Sequence, residues 1–197
     1  MNDMEARKQV CWAARQMYKE GLVRMSQGNV SCRLSGDRMA ITPSGMPYDE
    51  MSPEDIVICD LMGNRLEGSR APSSEVPMHA AVLRSLPETG AVVHTHSPYA
   101  VGFAICRMPI PSYTAEAGHF LRGPIHVAPF ATPGSAELGQ VIVETLKHSG
   151  RGVLMANHGV LAVGPTVEDA YRAALTVETT AQAAFNGMQI GKPVLPE

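Results

Sequence analysis

The stretch that decides the fold is GAVVHTHSPYA, residues 90–100. Its apolar run predicts a buried strand over residues 91–96, and the Ser-Pro pair that follows is typical of a helix start. Residues i and i+2 of a strand point to the same side, so His94 and His96 project from one face at the strand's carboxyl end. Two such imidazoles can share a metal ion, because their nitrogens can converge within about 2 Å of it. Two strand-end histidines without a ligand remain the alternative.

A third histidine strengthens the metal hypothesis. The apolar stretch LMANHG, residues 154–159, also ends in a histidine, His158. If both strand ends meet at one edge of a sheet, three neutral imidazoles surround one ion and leave a fourth position open, as in catalytic zinc sites. His79 is instead expected to be a hydrogen-bonded residue within a helix. The remaining histidines are expected not to be ligands: His119, His126 and His148.

Composition bounds the class of protein. The chain has 197 residues, 45% hydrophobic and 18% charged, which suits one domain spanning residues 1–197. A net charge of -3 does not indicate binding to nucleic acid or to an anionic membrane, because both attract basic proteins. The four cysteines form no CxxC pair, and no apolar run approaches the roughly 20 residues of a membrane span. We therefore expect a soluble cytoplasmic protein with free thiols.

Predicted helices and strands interleave along the whole chain. Helices are predicted over residues 4–20, from Ser74, from Ser97 to about Arg107, from Ser135 to about His148, and over 167–187. Strands are predicted at 29–34, 38–43, 55–61, 91–96 and 125–130, with two more on either side of the NHG turn. This alternation favours a layered α/β domain.

Three short turns are rich in Gly, Ser and Asn: SQGNVS (26–31), TPSG (42–45) and APSSE (71–75). Free backbone N–H groups there, together with the dipole of a following helix, favour an anion. The groups that could complete a phosphate pocket are the hydroxyls of Ser26, Ser44, Ser73 and Ser74 and the amide of Asn29. Three ordinary turns are the alternative. Glu75 either stabilises a helix start or, beside a metal and an anion, carries a proton.

Five motifs taken together, GNVS, TPSG, SSE, HTHS and NHG, resemble those of the class II aldolase/adducin family in order and spacing. The resemblance covers nearly the whole chain, and within the family it is strongest to the fuculose phosphate aldolases. It implies a three-layer α/β/α sandwich with a mostly antiparallel central sheet. It also implies a homotetramer with active sites between subunits.

The resemblance also implies a role for individual residues. It assigns zinc, or another divalent metal, to His94, His96 and His158, and the acid/base role to Glu75. It assigns binding of the substrate phosphate to Gly28, Asn29, Ser44, Gly45, Ser73 and Ser74. Ser26 is added to this predicted phosphate site because of its place in the first turn. Tyr113 lies in the stretch PIPSYTAEAGH. In the fuculose phosphate aldolases the corresponding region of the adjacent subunit supplies a second acid, so the resemblance implies that role for Tyr113.

The activity that the resemblance implies is a zinc-dependent, reversible cleavage of a ketose 1-phosphate to dihydroxyacetone phosphate and an aldehyde, through a metal-stabilised enediolate. Sugar-acid phosphate decarboxylases and methylthioribulose phosphate dehydratases share the histidines and the glutamate, so they remain alternatives. Ribulose phosphate 4-epimerases carry aspartate at the position of Glu75 and use a longer C-terminal region, which disfavours them. A non-catalytic adducin-like scaffold is disfavoured, because the three histidines expected to bind the metal and Glu75 are all present. The aldehyde half and the stereochemistry stay open.

Overall fold

The computed structural model describes residues 2–196 and contains eight strands and six α-helices within them. The strands are β1 (Asn29–Leu34), β2 (Arg38–Ile41), β3 (Val57–Asp60), β4 (Arg65–Glu67), β5 (Ala91–Thr95), β6 (His126–Ala128), β7 (Gly152–Met155) and β8 (Gly159–Gly164). The helices are α1 (Asp3–Lys19), α2 (Val76–Ser85), α3 (Pro98–Ile105), α4 (Ala115–Leu121), α5 (Ala136–Leu146) and α6 (Val167–Ile190).

All eight strands belong to one sheet, in the order β4-β3-β2-β1-β5-β8-β7-β6. The β6–β7 pair is parallel, and the other pairs among the described residues are antiparallel. The strand that carries the first histidines, β5, lies in the middle between β1 and β8. Neighbouring strands therefore hold the end of β5 on both sides.

Helices cover both faces of the sheet. The apolar side chains of α1, α3, α4 and α6 pack in one core cluster, and those of α2 and α5 pack in a second. Successive residues of β5 alternate between them, since Val93 belongs to the first cluster and Val92 to the second. The expected three-layer α/β/α sandwich with a mostly antiparallel sheet is confirmed.

Most predicted elements lie within a few residues of the observed ones, and the strand at residues 29–34 coincides with β1. The helix predicted from Ser74 begins later than expected, because Glu75 is the N-cap of α2 and Val76 is its first residue. The Ser73 hydroxyl accepts from the Glu75 N–H and its carbonyl from the Val76 N–H, so a turn precedes the helix. The sequence reasoning missed α4, whose signal is the Thr114 side chain that caps Ala117 N.

The final helix is longer than predicted and ends at Ile190. The part of the C-terminal tail up to residue 196 has no helix or strand, and residue 197 lies outside the described residues. All four cysteines are free thiols. None of the helices in residues 2–196 combines the length and the apolarity that crossing a membrane requires.

A buried carboxylate on α6 holds the start of α3, directly after the histidine-bearing segment. The oxygens of Glu178 accept hydrogen bonds from Tyr99 N at 3.0 Å and from Ala100 N at 2.9 Å. These N–H groups belong to the first turn of α3, where no carbonyl of the same helix is available. Burial raises the pKa of Glu178, while the two N–H donors oppose that rise. The contact ties α3 to the longest helix.

Glu178→Ala should lower the free energy of unfolding by about 2–3 kcal/mol, because it leaves two buried N–H groups without an acceptor. Urea unfolding followed by circular dichroism measures the change. The control is Glu168→Ala on the same helix, whose exposed carboxylate pairs with Arg172 and whose loss should leave stability unchanged within error. Equal stability of both variants would show that the buried contact contributes nothing.

Candidate metal centre and active site

Three histidines from separate segments meet beyond the end of β5. His94 lies in β5, His96 just after it, and His158 in the turn between β7 and β8. Their ring centroids are 4.8–5.2 Å apart, and Nε2 of His94 lies 3.1 Å from Nε2 of His96. One candidate ligand atom from each residue lies within 4.8 Å of the others. The group could therefore hold one metal ion.

The β7–β8 turn brings His158 to the other two. His158 N donates to Met155 O at 3.0 Å, and Asn157 adopts the left-handed backbone conformation with φ 56. At Gly159 a Cβ atom would lie 2.3 Å from the carbonyl oxygen of Thr95 and 2.9 Å from Cε1 of His94. A glycine is therefore required for β8 to pass so close to the histidines.

The three imidazoles are suited to metal binding. His94 Nδ1 lies 2.8 Å from the carbonyl of Val160 and donates to it, so Nε2 is the ring nitrogen that faces the group and is available to a metal. Burial, reinforced by the neighbouring His94, lowers the pKa of His96 and of His158 to about 4. Both rings are therefore neutral at pH 7, the form that binds a metal. The set of three imidazole nitrogens fits zinc.

Glu75 faces the histidines from the start of α2. Its Oε2 lies 3.1 Å from His94 Nε2, and its Oε1 lies 3.4 Å from His158 Nε2. The amide Nδ2 of Asn29 donates to Oε2 at 2.8 Å. Burial alone would raise the pKa of Glu75, but the neighbouring His94 and the hydrogen bonds outweigh it and hold the pKa well below its usual range. The carboxyl group is therefore ionised.

The three turns singled out in the sequence lie against one another. Ser44 N donates to Ala71 O at 3.0 Å, and Ser73 N donates to Thr42 O at 3.1 Å. The Tyr48 hydroxyl, three residues after the second turn, links it to the first, because it lies within hydrogen-bond distance of the carbonyls of Gln27 and Gly28. The structure thus gathers all three turns on one side of the histidine group.

The residues predicted to bind phosphate differ in exposure. Ser26, Ser44, Gly45 and Ser74 are exposed, whereas Ser73 and Asn29 are buried. Gly28 has φ +73, and a Cβ there would lie 2.5 Å from the carbonyl oxygen of His94. This glycine therefore lets the first turn touch the segment that carries the metal ligands. The amide of Asn29 faces Glu75 and His79, so it is directed away from the exposed turn residues.

Tyr113 is partly buried and packs against the core cluster formed by α1, α3, α4 and α6. Within residues 2–196, none of the hydrogen bonds or ring contacts of the three histidines involves it. One copy of the chain therefore does not bring Tyr113 to the histidine group.

The sequence reasoning assigned no site role to Ser31 and left His79 as a hydrogen-bonded helix residue. Both extend the contacts of the site. Ser31 Oγ lies 2.7 Å from His79 Nδ1, and His79 Nε2 lies 2.5 Å from Asn29 Oδ1. The signal in the sequence is spacing, since Ser31 follows Asn29 by two on a strand and His79 follows Glu75 by four on a helix.

Comparison with known proteins identifies the family. The sequence profile of the Class II Aldolase and Adducin N-terminal domain matches residues 8–185. A 5-methylthioribulose-1-phosphate/5-deoxyribulose-1-phosphate aldolase of Rhodospirillum rubrum is 37% identical over 93% of this chain and 82% of its own. An L-fuculose phosphate aldolase of Haemophilus influenzae is 37% identical over 92% of this chain and 82% of its own.

A solved L-fuculose 1-phosphate aldolase superposes with a TM-score of 0.92 at 30% identity, over 98% of this chain and 91% of that one. The fold, the sequence profile and the relatives agree, and the profile match takes in all three histidines and Glu75. This chain belongs to the class II aldolase and adducin N-terminal domain family.

Proposed function

We propose that the chain is a zinc-dependent aldolase that cleaves a ketose 1-phosphate reversibly to dihydroxyacetone phosphate and an aldehyde. The observation that carries this proposal is the ionised Glu75 facing three convergent imidazoles. The sugar-phosphate aldolases among the relatives support the same class of reaction. The reduced thiols agree with action in the cytoplasm.

His94, His96 and His158 would hold the metal. When bound, the cation would polarise the ketose carbonyl and stabilise the negative charge that develops as the carbon–carbon bond breaks. The carbonyl of Val160 would keep His94 turned toward the metal throughout the reaction. Three imidazole donors favour zinc among the common divalent metals, although other divalent ions accept the same donors.

Glu75 would move the proton of the reaction. Its carboxylate is ionised and lies beside the group where the substrate oxygens would bind, so it can accept a proton from the dihydroxyacetone phosphate carbon in the direction of synthesis. The fixed position of α2 holds this carboxylate in place, since Glu75 is the N-cap of that helix.

The three turns would bind the phosphate. The exposed serines of the gathered turns, Ser26, Ser44 and Ser74, supply hydroxyls, and α2 adds the positive end of its dipole. The residues proposed for this role are Ser26, Gly28, Asn29, Ser44, Gly45, Ser73 and Ser74. The exposed members of this set would make the direct contacts, because Asn29 is buried and its side chain is engaged by Glu75 and His79.

A second acid is needed for the oxygen of the aldehyde half. The family resemblance assigns it to Tyr113 of the partner subunit in a homotetramer, and the position of Tyr113 away from the histidines of its own chain is consistent with that assignment. The residues that surround the aldehyde would then come from two subunits. The decarboxylase and dehydratase reactions start from the same metal and glutamate, so they are the reactions to assay if cleavage is absent.

The first experiment measures dihydroxyacetone phosphate release from zinc-loaded protein given fuculose 1-phosphate, 5-deoxyribulose 1-phosphate and 5-methylthioribulose 1-phosphate. We expect release from at least one. Glu75→Gln should keep its metal and lose about 100-fold or more of the turnover, because it keeps the shape but removes the proton acceptor. Glu144→Gln, an exposed change on α5, is the control. Wild-type turnover in Glu75→Gln would remove Glu75 from the mechanism.

His94→Ala should abolish stoichiometric zinc binding, because it removes the central ligand of three. Elemental analysis of dialysed protein measures the bound metal per chain. His148→Ala, which changes an exposed histidine at the end of α5, should keep full stoichiometry. Full zinc content in the His94→Ala protein would overturn the assignment of the metal site.

Inorganic phosphate should inhibit cleavage competitively, because the gathered turns bind the phosphate group of the substrate. Ser74→Ala should weaken this inhibition several-fold, whereas Ser69→Ala, an exposed serine in the same segment, should not. Steady-state kinetics at several phosphate concentrations supply the inhibition constants. A lack of inhibition at high millimolar phosphate would point to a substrate without a phosphate at this position.

A further inference from the structure

A chain of four buried side chains runs from the sheet to the catalytic carboxylate. Ser31 Oγ contacts His79 Nδ1 at 2.7 Å, His79 Nε2 contacts Asn29 Oδ1 at 2.5 Å, and Asn29 Nδ2 contacts Glu75 Oε2 at 2.8 Å. Ser31 and His79 are 0% exposed, Asn29 is 4% exposed and Glu75 is 7% exposed. Water therefore does not compete for these hydrogen bonds.

The orientation of the Asn29 amide fixes the direction of the hydrogen bonds in this chain. Nδ2 can only donate, so Glu75 Oε2 accepts from it at 2.8 Å. Oδ1 can only accept, so His79 donates to it from Nε2, which leaves Nδ1 to accept from the Ser31 hydroxyl. With the amide in this orientation, only one arrangement of hydrogens satisfies all four groups.

The chemistry of His79 is consistent with that arrangement. Complete burial lowers the pKa of His79 to about 3, so its ring is neutral and carries a single hydrogen. A neutral ring can donate at one nitrogen and accept at the other, as the chain requires.

The four hydrogen-bonded side chains come from two elements, a strand and a helix. Asn29 and Ser31 lie on β1, where Asn29 is paired directly with His94 of β5. Their side chains point to the α2 side of the sheet, because Val30 between them belongs to the opposite core cluster. His79 and Glu75 come from α2. The four side chains therefore cross-link a central strand to the helix that begins at the carboxylate.

The two oxygens of Glu75 have different surroundings. Oε2 accepts from Asn29 and lies beside His94. Oε1 is also buried, yet it accepts no hydrogen bond within residues 2–196. One oxygen is thus anchored by the chain, and the other has its lone pairs free for a proton.

We propose that His79 is a positioning residue for Glu75: its Nε2–H fixes the Asn29 amide, which anchors Oε2 and leaves Oε1 as the oxygen that exchanges the proton with substrate. The proposal rests on the proposed function, since it assumes that Glu75 is the proton carrier. In the exchange step a carbon–hydrogen bond of dihydroxyacetone phosphate breaks and an O–H bond forms at Oε1. The proton returns by the same path, and no proton moves along the chain.

A matched pair of variants separates this role from packing. In His79→Gln the side-chain amide reaches the position of Nε2 and can still donate to Asn29. In His79→Asn the shorter amide reaches only the position of Nδ1, so Asn29 Oδ1 loses its donor. Both variants replace the ring by an uncharged amide. His148→Gln, the same change at an exposed position, is the control.

The reaction to follow is the incorporation of solvent deuterium into dihydroxyacetone phosphate by zinc-loaded protein, because it isolates the proton step and needs no aldehyde. We expect His79→Asn to lower the exchange rate about 10- to 100-fold, with zinc content and KM for dihydroxyacetone phosphate near wild type. His79→Gln should recover most of the rate. Equal rates in the two folded variants, whether high or low, would overturn the positioning role.

A second measurement does not depend on activity. Two-bond 1H–15N spectra of labelled, zinc-loaded wild-type protein report which ring nitrogen of His79 carries the hydrogen. We expect it on Nε2, and finding it on Nδ1 would overturn the proposal even if both variants fold poorly. If wild-type protein shows neither cleavage nor exchange, the proposed function fails, while the spectrum still tests the chain of hydrogen bonds.

Discussion

The pairing of β5 with β1 on one side and β8 on the other is the constraint on which the site depends. The register with β1 places Asn29 beside His94, and the register with β8 places Val160 beside Thr95. The first pairing places Asn29 where it can donate to the Glu75 carboxylate, and the second fixes the ring of His94 through the Val160 carbonyl. A shift of one residue in either register would turn these side chains to the opposite face of the sheet.

The electrostatic arrangement of the site follows from that geometry. One buried, ionised carboxylate faces the three imidazoles, and burial keeps two of them, His96 and His158, neutral at pH 7. Such a pocket attracts a divalent cation, and the bound cation would in turn keep the carboxylate ionised. The gathered turns, in the phosphate-binding role proposed for them, would provide the opposite preference, for an anion. A substrate with a phosphate at one end and a carbonyl oxygen near the other would match both.

The sequence was most informative at the histidines. The alternation in AVVHTH indicated that His94 and His96 point to one side, and the apolar stretch before His158 led to the hypothesis that it joins them, which the structure confirms. The start of α2 was misplaced because a serine side chain can cap a turn as well as a helix. The link from Ser31 through His79 depends on the distance between a strand and a helix, which neither segment encodes alone. Tyr113 packs against the core cluster of α1, α3, α4 and α6, a position that the local pattern PIPSYTAEAGH did not indicate.

The residues that build the site are far apart along the polypeptide, and this separation has a thermodynamic consequence. His94 and Val160 are 66 residues apart, and Asn29 and Glu75 are 46 apart, yet each pair is in hydrogen-bond contact. A metal site built from such distant segments exists only once the central strands have paired. The unfolded chain would therefore compete poorly for an ion, and metal binding would shift the folding equilibrium toward the native state in proportion to the logarithm of the free metal concentration. Metal supply and conformational stability would thus be coupled through the same three imidazoles.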